Sequence, residues 1–331
     1  MAATQERPAV SGRGGAPGSV GVVVPGCCAV WALISAAAGN GRPEGVLLAV
    51  LAVVAGYACG RISGSLVPVA AAASASLTLL ALAVVTARAL RPDHLGEVAA
   101  LLALAAGAAC CAARAVTTGP WAWPLRLLVA AVIAEAVALG STGGCVAAVA
   151  VTLSALAVRE RSGGRVRGLA LAVFGLVAAA AVGGTWALAR GEPAPGGAVS
   201  AQRVALWRDA AAIAAGHPVF GAGPGRFAEL SPAAALSVPP DDSPHSAALQ
   251  EAAEQGVVGL ALLACGYGWL LYGLARSPCA TPVAVAAGAS LTSLAVLATV
   301  SDALSFAPVT AAAGVLAGLA TTNRAGAAPY G

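Results

Sequence analysis

Long apolar runs alternate with short polar breaks from one end of the chain to the other. The runs lie at about 20–39, 45–60, 66–87, 97–113, 121–140, 143–158, 168–189, 256–275, 282–300 and 308–322. A helix needs about 20 such residues to cross a bilayer, so the pattern predicts an all-α membrane protein of about ten transmembrane helices. Many runs are dominated by Ala, Gly, Val and Leu, and small residues let helix backbones approach closely. One break is different in kind. Residues 190–255 gather Arg, Asp, Glu and two of the three His between Gly and Pro. A chain that keeps its polar chemistry in one place is expected to work there. The predicted organisation is a disordered Gly/Pro/Arg-rich segment at 1–19, helices 1–7 over 20–189, the polar loop at 190–255, helices 8–10 over 256–322 and a tail at 323–331. The first run resembles a signal peptide, but more runs follow and no convincing cleavage site is visible, so it reads as the first span. No internal repeat supports an inverted-repeat transporter.

Composition agrees. Hydrophobic residues make up 59% of the 331 and charged residues 10%, where a soluble domain carries about 25% charged. Every basic residue is Arg, the net charge is +4, and the Arg are scattered among loops; no stripe forms, and no nucleic-acid partner is expected. Seven Cys (27, 28, 59, 110, 111, 145 and 265) lie in apolar runs, and Cys279 sits in a short loop. Without CxxC or Cys/His spacing they predict neither a disulfide framework nor a metal site. The loop at 159–168 carries Arg159, Arg161, Arg165 and Arg167, which marks it as cytoplasmic. Alternation then puts both termini on the inner side of the cytoplasmic membrane and loop 190–255 outside, away from ATP and nucleotide sugars. Arg88 and Arg91 fit this orientation poorly, although Asp93 and Glu97 lie beside them.

Within the loop, Ser200–Ala215 reads as an amphipathic helix with Ser200 as its cap. Arg203 and Trp207 share one face, which suits a helix lying in the membrane interface, and Gly216, His217 and Pro218 end it. The run Gly221 to Gly225, GAGPG, can aim its N–H groups at an anion or make a tight turn. The turn is preferred, since no P-loop Lys-Ser/Thr follows and no strand precedes. Asp242 or Ser243 caps a helix expected to begin near Pro244 and run into the span at 256–275, with His245 near its N-terminus. Histidine suits proton transfer near neutral pH. Arg203, Arg208 and Arg226 suit bidentate pairing with phosphate. A base and several Arg at the outer surface fit transfer from a lipid diphosphate to a hydroxyl. The same residues also fit a solvated surface beside an anionic bilayer, and the chemistry alone leaves both readings open. Glu135 is either a functional intramembrane acid or one hydrated by the nearby interface. Asp302, in the last outer loop, either approaches the site or is a solvated loop acid, and the solvated reading is preferred; the pair Asp241-Asp242 fits metal-holding carboxylates or, preferred beside Pro239, Pro240 and Pro244, a polar turn. His94 reads as solvated, and Trp121 and Trp123 as an interfacial belt.

The polar residues also form a sequence pattern. His245-Ser246 is followed by nine residues and then Gly256-Val-Val-Gly259, with Glu254 just ahead of the first Gly. Upstream stand Arg203, Trp207, His217-Pro218, Gly221, Gly223, Gly225 and Phe227. The set resembles that of the O-antigen ligases, with the related O-antigen polymerases and protein O-oligosaccharyltransferases, over about residues 140–275. The resemblance implies a GT-C-like fold and metal-independent glycosyl transfer without a cofactor. It implies a lipid-linked oligosaccharide donor on undecaprenyl diphosphate, and a glycan or lipid acceptor. His245 takes the role of base, Arg203 that of main phosphate ligand, with Arg208 and Arg226 as further diphosphate ligands. Trp207, Gly221, Gly223, Gly225, Glu254, Gly256 and Gly259 fall in the motif as structural positions. One departure stands out: members often have Ser-Arg-Gly where this chain has Ser141-Thr142-Gly143. Either Arg208, Arg226 or Arg190 substitutes, or the chain is degenerate or binds another donor. A transporter for an anionic solute is the rival from another class; it predicts charged or broken helices at mid-membrane, where Glu135 is the single candidate.

Overall fold

The computed structural model describes residues 16–89, 95–116, 118–158, 163–191, 200–237 and 243–322, and among them all regular structure is helical. The long helices are α1 (Ala16–Gly39), α2 (Glu44–Leu66), α3 (Pro68–Ala89), α4 (Leu95–Ala115), α5 (Ala122–Ala138), α6 (Thr142–Ala157) and α7 (Gly164–Ala189). The polar loop holds α8 (Ala201–Gly216) and two single turns, α9 (Phe227–Leu230) and α10 (Pro232–Ala235). The chain closes with α11 (Ala247–Arg276), α12 (Thr281–Ala298) and α13 (Ala307–Ala320). Ten of these helices coincide with the ten apolar runs. Of them α2, α3, α4, α7, α11 and α12 are long and apolar enough to cross a membrane, while α6 and α13 are shorter apolar helices. The termini 1–15 and 323–331, the lead-in at 192–199, and Arg91, Asp93, His94, Arg159, Arg161, Asp241 and Asp242 lie outside the described residues.

Helix α4 is the axis of the bundle. Its sequence is almost wholly Ala, Leu, Gly and Cys, and Val98–Ala112 is buried on every side. A helix apolar all round belongs in an interior. The few polar side chains that face it are satisfied by its backbone: Ser76 of α3 donates to Ala105 O at 3.0 Å and Ser290 of α12 to Ala103 O at 2.8 Å. Small residues set the closest packing. A Cβ on Gly60 of α2 would stand 2.2 Å from Val315 O, and one on Gly314 of α13 would stand 2.3 Å from Val53 O. These two helices therefore meet backbone to backbone.

The two ends of the bundle differ. At one, Arg114 donates to Ala155 O and Val158 O at 2.7 and 2.8 Å, and Arg167 to Ser277 O and Cys279 O at 2.8 and 3.1 Å. These arginines satisfy carbonyls left open at helix ends. The polar loop lies at the other end and builds a second, smaller core from Ala189, Leu206, Trp207, Ala210, Phe227, Ala234, Leu249 and Ala253. That core turns the loop into a packed layer rather than a tether.

Candidate active site

The layer is organised by a break in α11. The helix begins at Ala247, three residues later than Pro244, and Gly256 interrupts it with φ 69° and ψ −166°. Only glycine takes such a conformation readily, and a Cβ there would lie 2.2 Å from Val219 O. Breaking a helix frees backbone groups, and each would cost about 1–3 kcal/mol if left buried and unpaired. Several of them have protein partners. Ala222 N donates to Ala253 O and Gly223 N to Glu254 O, both at 2.9 Å, and Val257 N donates to Pro218 O at 2.9 Å. Helix α1 supplies further partners: Trp31 Nε1 donates to Gln255 O at 3.0 Å, and the Ser35 hydroxyl lies 3.0 Å from Glu254 O and 2.6 Å from Phe220 O. The Trp31 and Phe220 rings stack 5.5 Å apart.

The glycines of the loop motif serve this junction. Gly221, at φ 70°, sits so close to α11 that a Cβ would come within 2.2 Å of the Glu254 carbonyl carbon. The N–H groups of Ala222 and Gly223 are used by α11, which makes the run a turn docked on the break rather than an anion cradle. Gly225 lies beside Arg42, whose N–H donates to Pro224 O at 2.7 Å. Glu254 Oε1 accepts from Phe227 N at 3.3 Å and so starts the turn of α9. Gly259 leaves room for the Gln255 side chain, which a Cβ would crowd at 2.3 Å. A broken helix was the mark expected of a transporter; at this break the backbone groups named above are paired with protein groups.

Helix α8 forms as the sequence indicates, with the Ser200 hydroxyl accepting from Arg203 N at 3.3 Å. One expectation is corrected. Trp207 is not an interfacial anchor; it is fully buried in the loop core, because its indole N–H has a buried partner, Pro244 O at 2.9 Å. This bond fixes the backbone just ahead of His245. His245 itself takes φ 51°, a left-handed conformation uncommon for a side chain of its size. Its N–H donates to Ser243 Oγ at 3.2 Å, and Ser243 Oγ donates in turn to Asp302 Oδ1 at 2.6 Å. The other oxygen of Asp302 meets His245 Nδ1. The reading of Asp302 as a solvated loop acid is thereby overturned. It lies between α12 and α13 with its side chain 18% exposed, against 26% for His245. A carboxylate at Nδ1 favours the neutral tautomer that carries its proton there.

The arginines divide. Arg203 stands one turn before Trp207, half-buried, and its guanidinium has no partner among the described residues. Arg226 is committed elsewhere: it donates to Gly39 O at 2.8 Å and pairs with Glu229 at 3.1 Å, so it ties α1 to the turn of α9. Arg208 is exposed and turns toward α7, where a Cβ on Gly191 would lie 3.9 Å from its Nη2. Thr142 is the exposed first residue of α6, behind its cap Ser141. The next residue, Gly143, packs against Leu297 and Ala99, so α6 starts at the same end of the bundle as Asp302. Glu135 is half-buried near the end of α5. The contributions of Trp31 and Ser35 escaped the sequence reading, which allowed Asp302 an approach to the site but preferred a solvated acid; the signal for Asp302 was its place in a short break at the loop's end of the bundle.

The site therefore combines an oriented imidazole, a pinned backbone and a guanidinium without a partner among the described residues. A comparison with curated proteins finds no match. A comparison with protein families matches residues 127–264 to the O-antigen ligase family, a stretch running from α5 through the break in α11. Over residues 127–264 the chain is similar to that family.

Proposed function

We propose that this protein is a membrane glycosyltransferase that moves a glycan from undecaprenyl diphosphate to an acceptor hydroxyl at the outer face of the cytoplasmic membrane. The observation that carries the reading is the pairing of His245 Nδ1 with Asp302, which orients the ring for use of Nε2 as a base. In the step, His245 takes the acceptor's hydroxyl proton while that oxygen attacks the anomeric carbon. The bond from that carbon to the diphosphate oxygen breaks, and the lipid diphosphate leaves with the electron pair. Arg203 neutralises the charge that builds on it. Asp302 stabilises the imidazolium that forms. The arginine provides the positive charge, so the step as written needs no metal. The family covers ligases and polymerases, which share a donor and differ in the acceptor.

The test is transfer in proteoliposomes from a labelled lipid-diphosphate oligosaccharide. His245→Ala should lower the rate by about 10²–10⁴-fold, the usual worth of a general base, with insertion and folding intact. Normal transfer by a folded His245→Ala protein would remove the proposed base. Product length separates single transfer from polymerisation.

A further inference from the structure

The two arginines of α8 face different ways. Arg208 follows Arg203 by five residues. Successive residues of a helix turn by about 100°, so Arg208 points about 140° away from Arg203 and off the flank that serves His245. Its own flank looks toward α7 and is built from alanines. They leave a groove of about 550 Å³ between the end of α7, the second half of α8 and α11 on both sides of Gly256. One wall of the groove is apolar: Trp186, Val257 and Leu260 stand on the two helices, α7 and α11, that are long and apolar enough to cross a membrane. Val257 is exposed there, as are Val219 and Phe220 beside the lining Pro218, and apolar side chains exposed at the end of a spanning helix suit contact with lipid. The other wall is cationic. The Arg190 guanidinium lies 5.8 Å over the Trp186 ring, a cation–π contact that holds it at the groove. Arg208 Nη2 comes within 3.9 Å of where a Cβ on Gly191 would stand, so both arginines meet at the end of α7. Neither has an acidic partner among the described residues, and among those residues no acidic side chain lines the groove.

We propose that this groove is a binding site for an anionic phospholipid of the surrounding bilayer, with the phosphate between Arg190 and Arg208 and the start of one acyl chain along Trp186, Val257 and Leu260. The site is separate from the transfer chemistry and stands whether or not that reading does. Charge complementarity selects the occupant. A free phosphate leaves the apolar wall unused, and an uncharged lipid leaves two guanidiniums unanswered. The polyprenyl diphosphate of the proposed donor needs its phosphates at Arg203 and His245, on the flank that Arg208 turns away from. Basic residues at a membrane surface attract acidic headgroups, and the volume holds a glycerophosphate with the first methylenes of a chain while the rest stays in the bilayer. Arg190 and Arg208 therefore belong to the bilayer lipid rather than to a donor. Seated there, the lipid fills the space that the alanines leave between α7 and α8. It braces the helix whose Trp207 fixes the Pro244 carbonyl.

The test uses the full chain in phosphatidylcholine nanodiscs doped with phosphatidylglycerol that carries a diazirine near the head of one acyl chain. Photolabel should fall on residues 211–215 and 257–260. Arg190→Gln with Arg208→Gln should raise the mole fraction needed for half-labelling about tenfold or more, by removing two charge-assisted contacts. Ala212→Trp should cut labelling by about tenfold by filling the groove. Both arginines are exposed, so the double variant keeps the test open if the Trp variant does not fold. Phosphatidylcholine with the same diazirine should label these residues about tenfold less. Excess undecaprenyl diphosphate or inorganic phosphate should leave the label in place, whereas unlabelled phosphatidylglycerol should remove it. Labelling does not require turnover, so an inactive His245→Ala protein should label like wild type. Label elsewhere, equal labelling by phosphatidylcholine, or an unchanged half-labelling point in the double Arg variant would overturn the proposal. Displacement by undecaprenyl diphosphate as effective as by phosphatidylglycerol would overturn it too and return the groove to the donor; displacement by inorganic phosphate would make it a plain anion site.

Discussion

Trp207→Phe removes one hydrogen-bond donor and little else. The ring is fully buried in the loop core, and its Nε1 donates to Pro244 O at 2.9 Å. Phenylalanine keeps most of the apolar contact, but the buried Pro244 carbonyl loses its partner, at about 1–3 kcal/mol. The next residue is His245 at φ 51°, a conformation that costs an L-residue about 1–2 kcal/mol. The wild-type protein holds that strain because the backbone is fixed on both sides. Once the tryptophan bond is gone, relaxing the strain favours a backbone that swings the imidazole away from Asp302. A shift of about 1–2 kcal/mol changes a two-state ratio about 5- to 30-fold, so kcat should fall by about that factor. The donor KM should change little, since the Ser200 cap still sets the turn that carries Arg203. The assay is initial-rate transfer in proteoliposomes with saturating acceptor and varied donor, beside thermal unfolding of the same preparation. Trp207→Ala is a poorer probe, because losing the ring costs about 3–5 kcal/mol and perturbs the whole layer. Wild-type kcat in a folded Trp207→Phe protein would show that the Pro244 bond does not position the base.

Other consequences are checked in the same preparations. Gly256→Ala places a Cβ 2.2 Å from Val219 O at a positive φ; it should lower the unfolding temperature by the equivalent of at least about 2 kcal/mol, and unchanged melting would contradict the described break. Asp302→Asn keeps the shape but not the charge, and kcat should drop by up to about 10²–10⁴-fold, the full worth of a base, with donor KM held; an equal rise in KM would place Asp302 in binding instead. Arg203→Ala should raise donor KM about tenfold or more through a lost charge-assisted contact. Arg226→Ala should reduce stability through lost contacts to Gly39 O and Glu229 while leaving donor KM near wild type, and the reverse pattern for these two arginines would exchange their roles.

The helices were legible because their signal is local. Apolar runs closed by Gly, Pro and Arg marked all ten long helices, and Ser200 with Gly216-His217-Pro218 marked both ends of α8. The spacing from His245 to Gly256 drew attention to this loop, but it did not reveal what the glycines do. Gly221 and Gly256 meet across the chain, and that contact depends on Trp31 and Ser35, residues more than 180 positions away from their partners Phe220, Glu254 and Gln255. A polar group in an apolar helix, such as Ser35, gives no local sign of the carbonyl it will meet. The preference for a solvated Asp302 failed for the same reason. A lone acid in a short break looks solvated until the fold brings Ser243 and His245 to it. Trp207 beside Arg looked like a membrane anchor, because sequence gives the face of a helix but not what covers that face.

The imidazole and its carboxylate are anchored in different bodies of the molecule. His245 hangs from the loop layer through Trp207, while Asp302 is borne by the joint between α12 and α13, on the bundle. The family match ends at residue 264, ahead of that joint, and begins at 127, after α1. An excised fragment limited to the matched stretch would keep the recognisable signature and lose both the acid and the two α1 side chains that seal the break. Motif and working unit are thus not coextensive here, and grafting the signature into another scaffold requires the flanking helices as well.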